Sequence, residues 1–243
     1  MKPFPLFLWS ALAGTLLLSS CAGYSHVEPN AMAVLTQTTE KLRAAKTFHI
    51  TGTRVADPAL LPPGSTRESV KFDLEAIRPG SIEAKTMDDS GTRHLIAGNG
   101  KITYYDEKAR VYTSTETKAR TIEALVDEIE DKFDVKMVVA ELLGADPKEI
   151  LLEGVTSGKV AGEETVGGAL CTRLSFFQKD LAWDIWIAKS DALPRQTMVI
   201  YTSKPGQPRR TVTINRFRLN EVLPESDFVF RLPWGVQEVQ VIH

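Results

Sequence analysis

The chain has 243 residues, 29 Lys and Arg against 31 Asp and Glu, a hydrophobic fraction of 43% and two cysteines. With no basic excess to neutralise phosphates, nucleic acid is excluded as a partner. The apolar fraction is too high for a chain disordered throughout.

Lys2 precedes an apolar run through Leu6, Phe7, Leu8, Trp9, Ala11, Leu12 and Leu16 that closes on Leu18-Ser19-Ser20-Cys21. A charged start, an apolar middle and small residues before a cut are the layout of a secretory signal. A cysteine directly after Leu-Ser-Ser reads as a bacterial lipobox. Residues 1–20 are therefore expected to be a lipoprotein signal peptide, with Cys21 lipidated on its thiol and acylated on the new amine. Two or three acyl chains anchor stably where one binds marginally. At about fifteen residues the run falls short of the ~20 a spanning helix needs. Without Lys2 the mature chain carries 28 basic and 31 acidic residues, a net charge of −3. Ala22 follows the lipid site, where aspartate is the familiar inner-membrane retention signal, so the expected anchor is the outer membrane, facing the periplasm. With Cys21 lipidated, Cys171 has no intramolecular partner and the fold rests on no disulfide. Cys171 lies in an alternating run and reads as a buried small hydrophobe.

Residues 21–29 form a short tether, and 30–243 are read as a single domain. Asn30 is expected to cap a helix running to about Lys46, with Ala31, Val34, Leu35, Leu42 and Ala45 on one face. Strands follow. Phe48, Ile50 and Gly52 alternate with polar neighbours, and the Pro-Gly-rich stretch from Asp57 to Ser65 is a loop. Phe72, Leu74 and Ala76 alternate with charges, Arg78-Pro79-Gly80 turns the chain, and Ile82, Ala84 and Thr86 continue the pattern. Asp88 to Gly91 turns it again. Asn99-Gly100 between His94–Gly98 and Lys101–Tyr105 is a strong two-residue hairpin signal. Val111 to Glu116 extends the meander, and strands this close must be mostly antiparallel.

The period changes at Thr121. Ile122, Leu125, Val126, Ile129 and Phe133 recur at helical spacing. Val138, Val139, Leu142 and Leu143 predict a second short helix, stopped by Gly144 and Asp146-Pro147. A helical insertion over about 121–153 thus divides two strand series. The second series runs Val155–Val166, Leu170–Phe176, Leu181–Ala188, Gln196–Tyr201 and Arg210–Leu219. Leu174 and Phe176 share one strand face, while Trp183 and Trp186 point to opposite faces. One long antiparallel sheet in two halves, curled and covered by the inserted helices, explains this order.

Arg78-Pro79 closing a strand, Asn99-Gly100-Lys101 before Tyr104-Tyr105, the helical insertion, Trp183-Asp184-Ile185-Trp186-Ile187, Leu193-Pro194-Arg195 and Phe228-x-Phe230-x-x-Pro233-x-Gly235 occur together, after the lipobox. In their order the chain resembles a family of predicted periplasmic bacterial lipoproteins related to the superfamily of the lipoprotein carriers LolA and LolB. The resemblance covers roughly Asn30 to Val239. It implies a mainly β (α+β) fold: a curled antiparallel sheet forming an incomplete LolA-like barrel, with helices covering the concave face. It further implies a cavity for acyl chains. Relatives of this fold also include proteins that sense envelope stress and carry no cargo.

Enzyme chemistry is not expected. His26, His49, His94 and His243 form no His-Glu-x-x-His pattern and no metal spacing with cysteine. No Gly-x-Ser-x-Gly elbow occurs, and Gly98-x-Gly100 lacks a third glycine. Glu128, Glu130 and Asp131 read as a solvated helix face. Lys204, Arg209 and Arg210 flank a Pro-Gly turn, with Arg216 and Arg218 following. A soluble hairpin tip is the preferred reading there, and a rim for anionic headgroups is the alternative. No cofactor or metal is expected. The expected partners are a membrane through the anchor, a lipid or acyl-chain ligand, or an envelope protein. In the first reading the helix through Ile122, Leu125, Val126, Ile129 and Phe133 is a lid over a cavity lined by Phe72, Leu74, Leu174 and Phe176. In the second that space is permanently filled and the outer surface binds a partner.

Overall fold

The computed structural model describes residues 26–62, 64, 68–133, 135, 137 and 139–240. The expected signal peptide and Cys21 lie outside the described residues. Helix α1 (Pro29–Ala44) comes first, then β1 (Thr47–Ala56), β2 (Ser69–Ile77), β3 (Ser81–Asp88), β4 (Gly91–Gly98), β5 (Lys101–Asp106) and β6 (Val111–Glu116). Helix α2 (Ile122–Phe133), a 3-10 turn (Ala140–Leu142) and α3 (Pro147–Leu152) form the insertion. The second series is β7 (Ser157–Val166), β8 (Ala169–Phe177), β9 (Ala182–Ala188), β10 (Pro194–Ile200) and β11 (Arg209–Leu219), and β12 (Gln237–Glu238) ends it.

Among the described residues, the twelve strands make one curled open sheet in the order β12-β6-β5-β4-β3-β2-β1-β11-β10-β9-β8-β7. The two series meet where β1 pairs with β11. Neighbours are antiparallel except β12, which runs parallel to β6. The hairpin forms as its sequence demands. Gly98 pairs with Lys101, and Asn99 and Gly100 take φ of 51° and 79°, the positive values such a turn needs.

Two expectations about helix ends are corrected. Asn30 does not cap α1. Glu28 is the cap position and Pro29 opens the helix, because proline's missing N–H and fixed φ suit the first helical position. Asp146-Pro147 does not stop a helix but starts one. The Asp146 carboxylate accepts the N–H of Glu149 at 3.2 Å and Pro147 follows as the first residue of α3. The segment expected to be helical just before it is a single 3-10 turn at 140–142, with Val138 outside the described residues.

One face of the sheet carries the main core. Phe48, Ile50, Phe72, Leu74, Ala76, Ile82, Leu95, Ala97 and Ile102 from the first series join Leu174, Phe176, Trp183, Ile185, Ile187, Val212, Ile214 and Phe217 from the second. Helix α1 adds Ala31, Leu35 and Leu42. Its Thr38 and Thr39 are buried too, which apolar periodicity does not reveal. Their hydroxyls donate to the carbonyls of Val34 (3.3 Å) and Leu35 (3.0 Å), so no polar group is left orphaned. Cys171 is fully buried on the opposite face with Trp186 and Ala188, and burial pushes its thiol above the ordinary value. Trp183 and Trp186 thus lie on opposite faces.

At the β1–β11 seam the register shifts between Thr51 and Gly52. A Cβ on Gly52 would lie 2.3 Å from the Thr213 carbonyl oxygen and 2.7 Å from the Phe72 ring. A larger residue there must push backbone, and overpacking of this kind costs about 1–3 kcal/mol. Gly52→Val is expected to lower the unfolding free energy by at least that much, read as a fall in the urea midpoint. An unchanged midpoint would show that the seam is not packed as described.

Candidate functional site

One side chain, Arg78, bonds to two separate parts of the helical cover. Arg78, at the end of β2, reaches under the cover with its guanidinium 4.8 Å from the centre of the Phe48 ring. Its Nη1 donates to the carbonyls of Leu42 (3.0 Å), Arg43 (2.7 Å) and Ala45 (2.8 Å) at the C-terminus of α1. Its Nε and Nη2 donate to Leu143 O at 3.2 and 2.9 Å, and Nη2 also donates to Gly144 O. A helix C-terminus leaves carbonyls without partners and carries partial negative charge. Arg78 supplies donors and positive charge to it, and binds the insertion in the same grip. Burial lowers its pKa, with Glu123 opposing.

Glu123 on α2 adds a second tie by accepting the N–H of Ala145. Burial raises the carboxyl pKa, but the bonds from Ala145 and its own amide, the Thr121 hydroxyl and the Arg78 charge outweigh it, and the net direction is down. Helix α1, α2 and the 139–152 segment are therefore linked through two side chains.

The predicted lid residues Ile122, Leu125 and Ile129 are buried in the core, while Val126 and Phe133 are partly buried against it. Phe133 stacks on Tyr104 with ring centres 6.3 Å apart. Phe72 and Leu74 line a small cavity of about 50 Å³ with Tyr104, Val135 and Met137. The roomier apolar cavity, about 230 Å³, lies elsewhere, between the 139–152 segment and strands β9–β11. Leu142, Ile150 and Leu151 form its roof, and Trp183, Ile185, Val199 and Val212 its floor. The strand residues expected to line a cavity stand one step away. Phe176 stacks on Trp183 at 4.3 Å, and Leu174 is the cross-strand partner of Ile185.

The sequence pattern hides this site because its roof is a 3-10 turn and a six-residue helix, too short to show a period. The floor is readable: Trp183-x-Ile185 on β9, Val199 on β10 and Val212 on β11 face inward. Gln178, Tyr201 and Arg210 complete the lining with Glu141.

Several carboxylates and histidines outside the cavity are engaged. Glu128 is paired with Lys132 at 2.5 Å and accepts the Thr117 hydroxyl. His49 lies 3.0 Å from Asp73 and 3.4 Å from Glu221. His94 sits between Glu83 (3.4 Å) and Glu107 (2.7 Å), and the bond to Glu83 is the main reason that its pKa is raised. Among the described residues no group of three His, Cys, Asp or Glu could hold a metal ion, and no helix is long and apolar enough to cross a membrane. What the arrangement offers chemically is an apolar chamber under a hydrogen-bonded cover.

A curled open sheet with a helical cover on one face defines the fold class, and solved structures have been compared with it. LprF of Mycobacterium bovis matches with a TM-score of 0.50 and 12% identity over 82% of this chain and 98% of its own. The Mycobacterium tuberculosis lipoprotein LppX gives 0.49 and 12%, over 81% and 98%. MucB in the Pseudomonas aeruginosa MucA/MucB complex gives 0.45 and 14%, over 83% and 61%. No curated protein sequence matches the chain. Residues 31–242 match the family described as predicted periplasmic protein (DUF2092), and the chain belongs to that family.

Arg78→Met keeps the apolar stem but removes every donor. A hydrogen bond to a charged group contributes about 1.5–3 kcal/mol, so a loss of about 3 kcal/mol or more is expected, with faster amide exchange in 139–152. Equal exchange in that segment would show that Arg78 does not hold it. The lowered pKa of Glu123 sets a pH signature. Its contribution is present above the unfolded carboxylate value and lost as pH falls through the folded one. The stability gap between wild type and Glu123→Gln is therefore expected to be full at about pH 6 and to shrink progressively as pH falls below the ordinary glutamate value of about 4.3. A gap that stays constant in urea titrations across that range would contradict the assignment.

Proposed function

We propose that this protein is a lipoprotein of the periplasm, anchored through Cys21 to the outer membrane, that holds the hydrocarbon part of a lipid or lipoprotein acyl chain without chemically altering it. The carrying observation is the apolar cavity of about 230 Å³ between the 139–152 segment and β9–β11. Native cores are packed with few voids larger than a water molecule, so a mostly apolar pocket of this size, partly open to solvent beneath the cover, supports a hydrophobic-ligand reading. Each CH₂ moved from water into it gains about 0.8 kcal/mol. The roof is short and tied mainly through Arg78 and Glu123, so it can shift without disturbing the strand ladders. The lipobox supplies the membrane: Leu18-Ser19-Ser20-Cys21 precedes the first described residue by only a few positions.

Filling the cavity tests the reading. Val199→Trp from the floor and Leu151→Trp from the roof are each expected to cut binding of a fluorescent fatty-acid probe at least tenfold while leaving the circular dichroism unchanged. Probe binding that survives both fillings would reject the cavity as the site. For the anchor, Cys21→Ala is expected to abolish incorporation of radioactive palmitate; continued labelling would overturn the lipobox.

A second reading, docking of an envelope protein, draws on the segment after β11. Trp234 is 92% and Leu232 58% exposed there, beside the β5–β6 turn where Arg110 donates to the Trp234 carbonyl at 2.5 Å. If this reading holds, Trp234→Ala disrupts co-purification of a partner and leaves probe binding intact.

A further inference from the structure

The cavity has a polar end, and that end has a direction. Gln178 follows the last residue of β8, Tyr201 the last of β10, and Arg210 is the second residue of β11. All three lie at the same end of the antiparallel sheet, where β8 and β10 finish and β9 and β11 begin. The rest of the lining, from Leu142 and Ile185 to Val212, runs inward from there and is mostly apolar; Thr197 and Asp184 also border it, and the Asp184 carboxylate is paired with Arg173 at 2.5 Å.

Arg210 is the unusual member of this set. Its cross-strand partners are Val199 on β10 and Ala56 on β1, so it stands on the inner, apolar face of the sheet. It is half-buried, and among the described residues its guanidinium has no hydrogen bond and no carboxylate within salt-bridge distance. Glu141, across the lining, is exposed and forms no ion pair with it. Gln178 is already used, donating to Glu153 O at 2.7 Å. Close by on the rim, Lys204 lies 5.1 Å over the Tyr201 ring and is exposed. A guanidinium facing an apolar chamber without a counter-charge costs desolvation that a carboxylate or phosphate would offset.

The chain enters at this same end. Val27 forms a bridge with Gly158, and Gly158 pairs with Phe176, next to the end of β8. Cys21 is five residue steps from His26, a reach of at most about 18 Å at ~3.6 Å per residue. A lipid on Cys21 would therefore hold the polar end of the cavity toward the membrane.

We infer that the cavity takes a single-chain amphiphile with an anionic head, its hydrocarbon under the 139–152 roof and its head on Arg210 at the membrane-facing mouth. This rests on the hydrophobic-ligand reading above and adds the head chemistry and the orientation. Fatty-acid carboxylates and lysophospholipid phosphates share that chemistry.

The test uses the chain from residue 22, which holds every strand and helix of the described residues. Two probes with the same tail are compared, cis-parinaric acid and its methyl ester, with wild type, Arg210→Gln and Arg210→Lys. Wild type is expected to bind the acid about tenfold more tightly than the ester, a charge-assisted bond at a half-exposed site. Arg210→Gln is expected to remove that preference without changing ester binding, and Arg210→Lys to retain part of it. Displacement by palmitate or by lysophosphatidylglycerol then separates a carboxylate from a phosphate source. Equal binding of acid and ester, or an Arg210→Gln variant that weakens both alike at unchanged Tm, overturns the headgroup assignment and leaves the hydrophobic site standing. If neither probe binds wild type, the hydrophobic-ligand reading itself falls.

Discussion

A single sheet with one strongly apolar face and no second sheet to pack against must find its cover elsewhere. Everything distinctive in this protein follows from that constraint. The N-terminal helix and the inserted helices are the cover, and they come from two places in the chain far apart in sequence. Arg78 joins them. By donating to carbonyls at the end of α1 and at Leu143 and Gly144, it makes one side chain responsible for the position of both. A polar grip beneath an apolar cover fixes where the cover sits without requiring it to fill the space below.

That distinction explains why the cover is unevenly packed. Over the first strand series, α2 presses Ile122, Leu125 and Ile129 into the core; the apolar space beside Phe72 and Leu74 is about 50 Å³, and the wider cleft along α2 between Thr113–Thr115 and Lys132–Phe133 is mostly polar. Over β9–β11 the roof is a turn and a six-residue helix, and about 230 Å³ remains. Short elements bury little area each and bridge a wide strand surface poorly. The open space is thus a consequence of where the insertion breaks into small pieces.

Much of this was legible in the sequence, and the failures have physical causes. Period-two alternation in Phe72-x-Leu74 and Leu174-x-Phe176 and the Asn99-Gly100 turn gave the strands, since one face of each strand is buried and a hairpin of two residues needs positive φ. The α2 stripe showed itself because twelve residues hold three turns. Asp146-Pro147 was ambiguous, as the pair fits both the end of one helix and the start of the next; only the Asp146 bond to Glu149 N–H decides it. β12 has two residues and no pattern to read. The cavity under residues 139–152 is not legible as a place, although the alternation of β9 is, because a void is a property of what two elements fail to fill. Arg210 read as part of a charged hairpin tip, and its inward placement depends on the cross-strand pairing with Val199, which composition does not contain.

The central claim is that the chamber under residues 139–152 is a binding site rather than a packing defect. Hydrogen exchange with and without saturating palmitate tests it most directly. Slower exchange confined to the amides of 139–152 and of β9 and β10, with β2–β5 unchanged, is the result this account predicts. Exchange unaltered in the roof, or slowed instead along α2 and β2–β5, would contradict it.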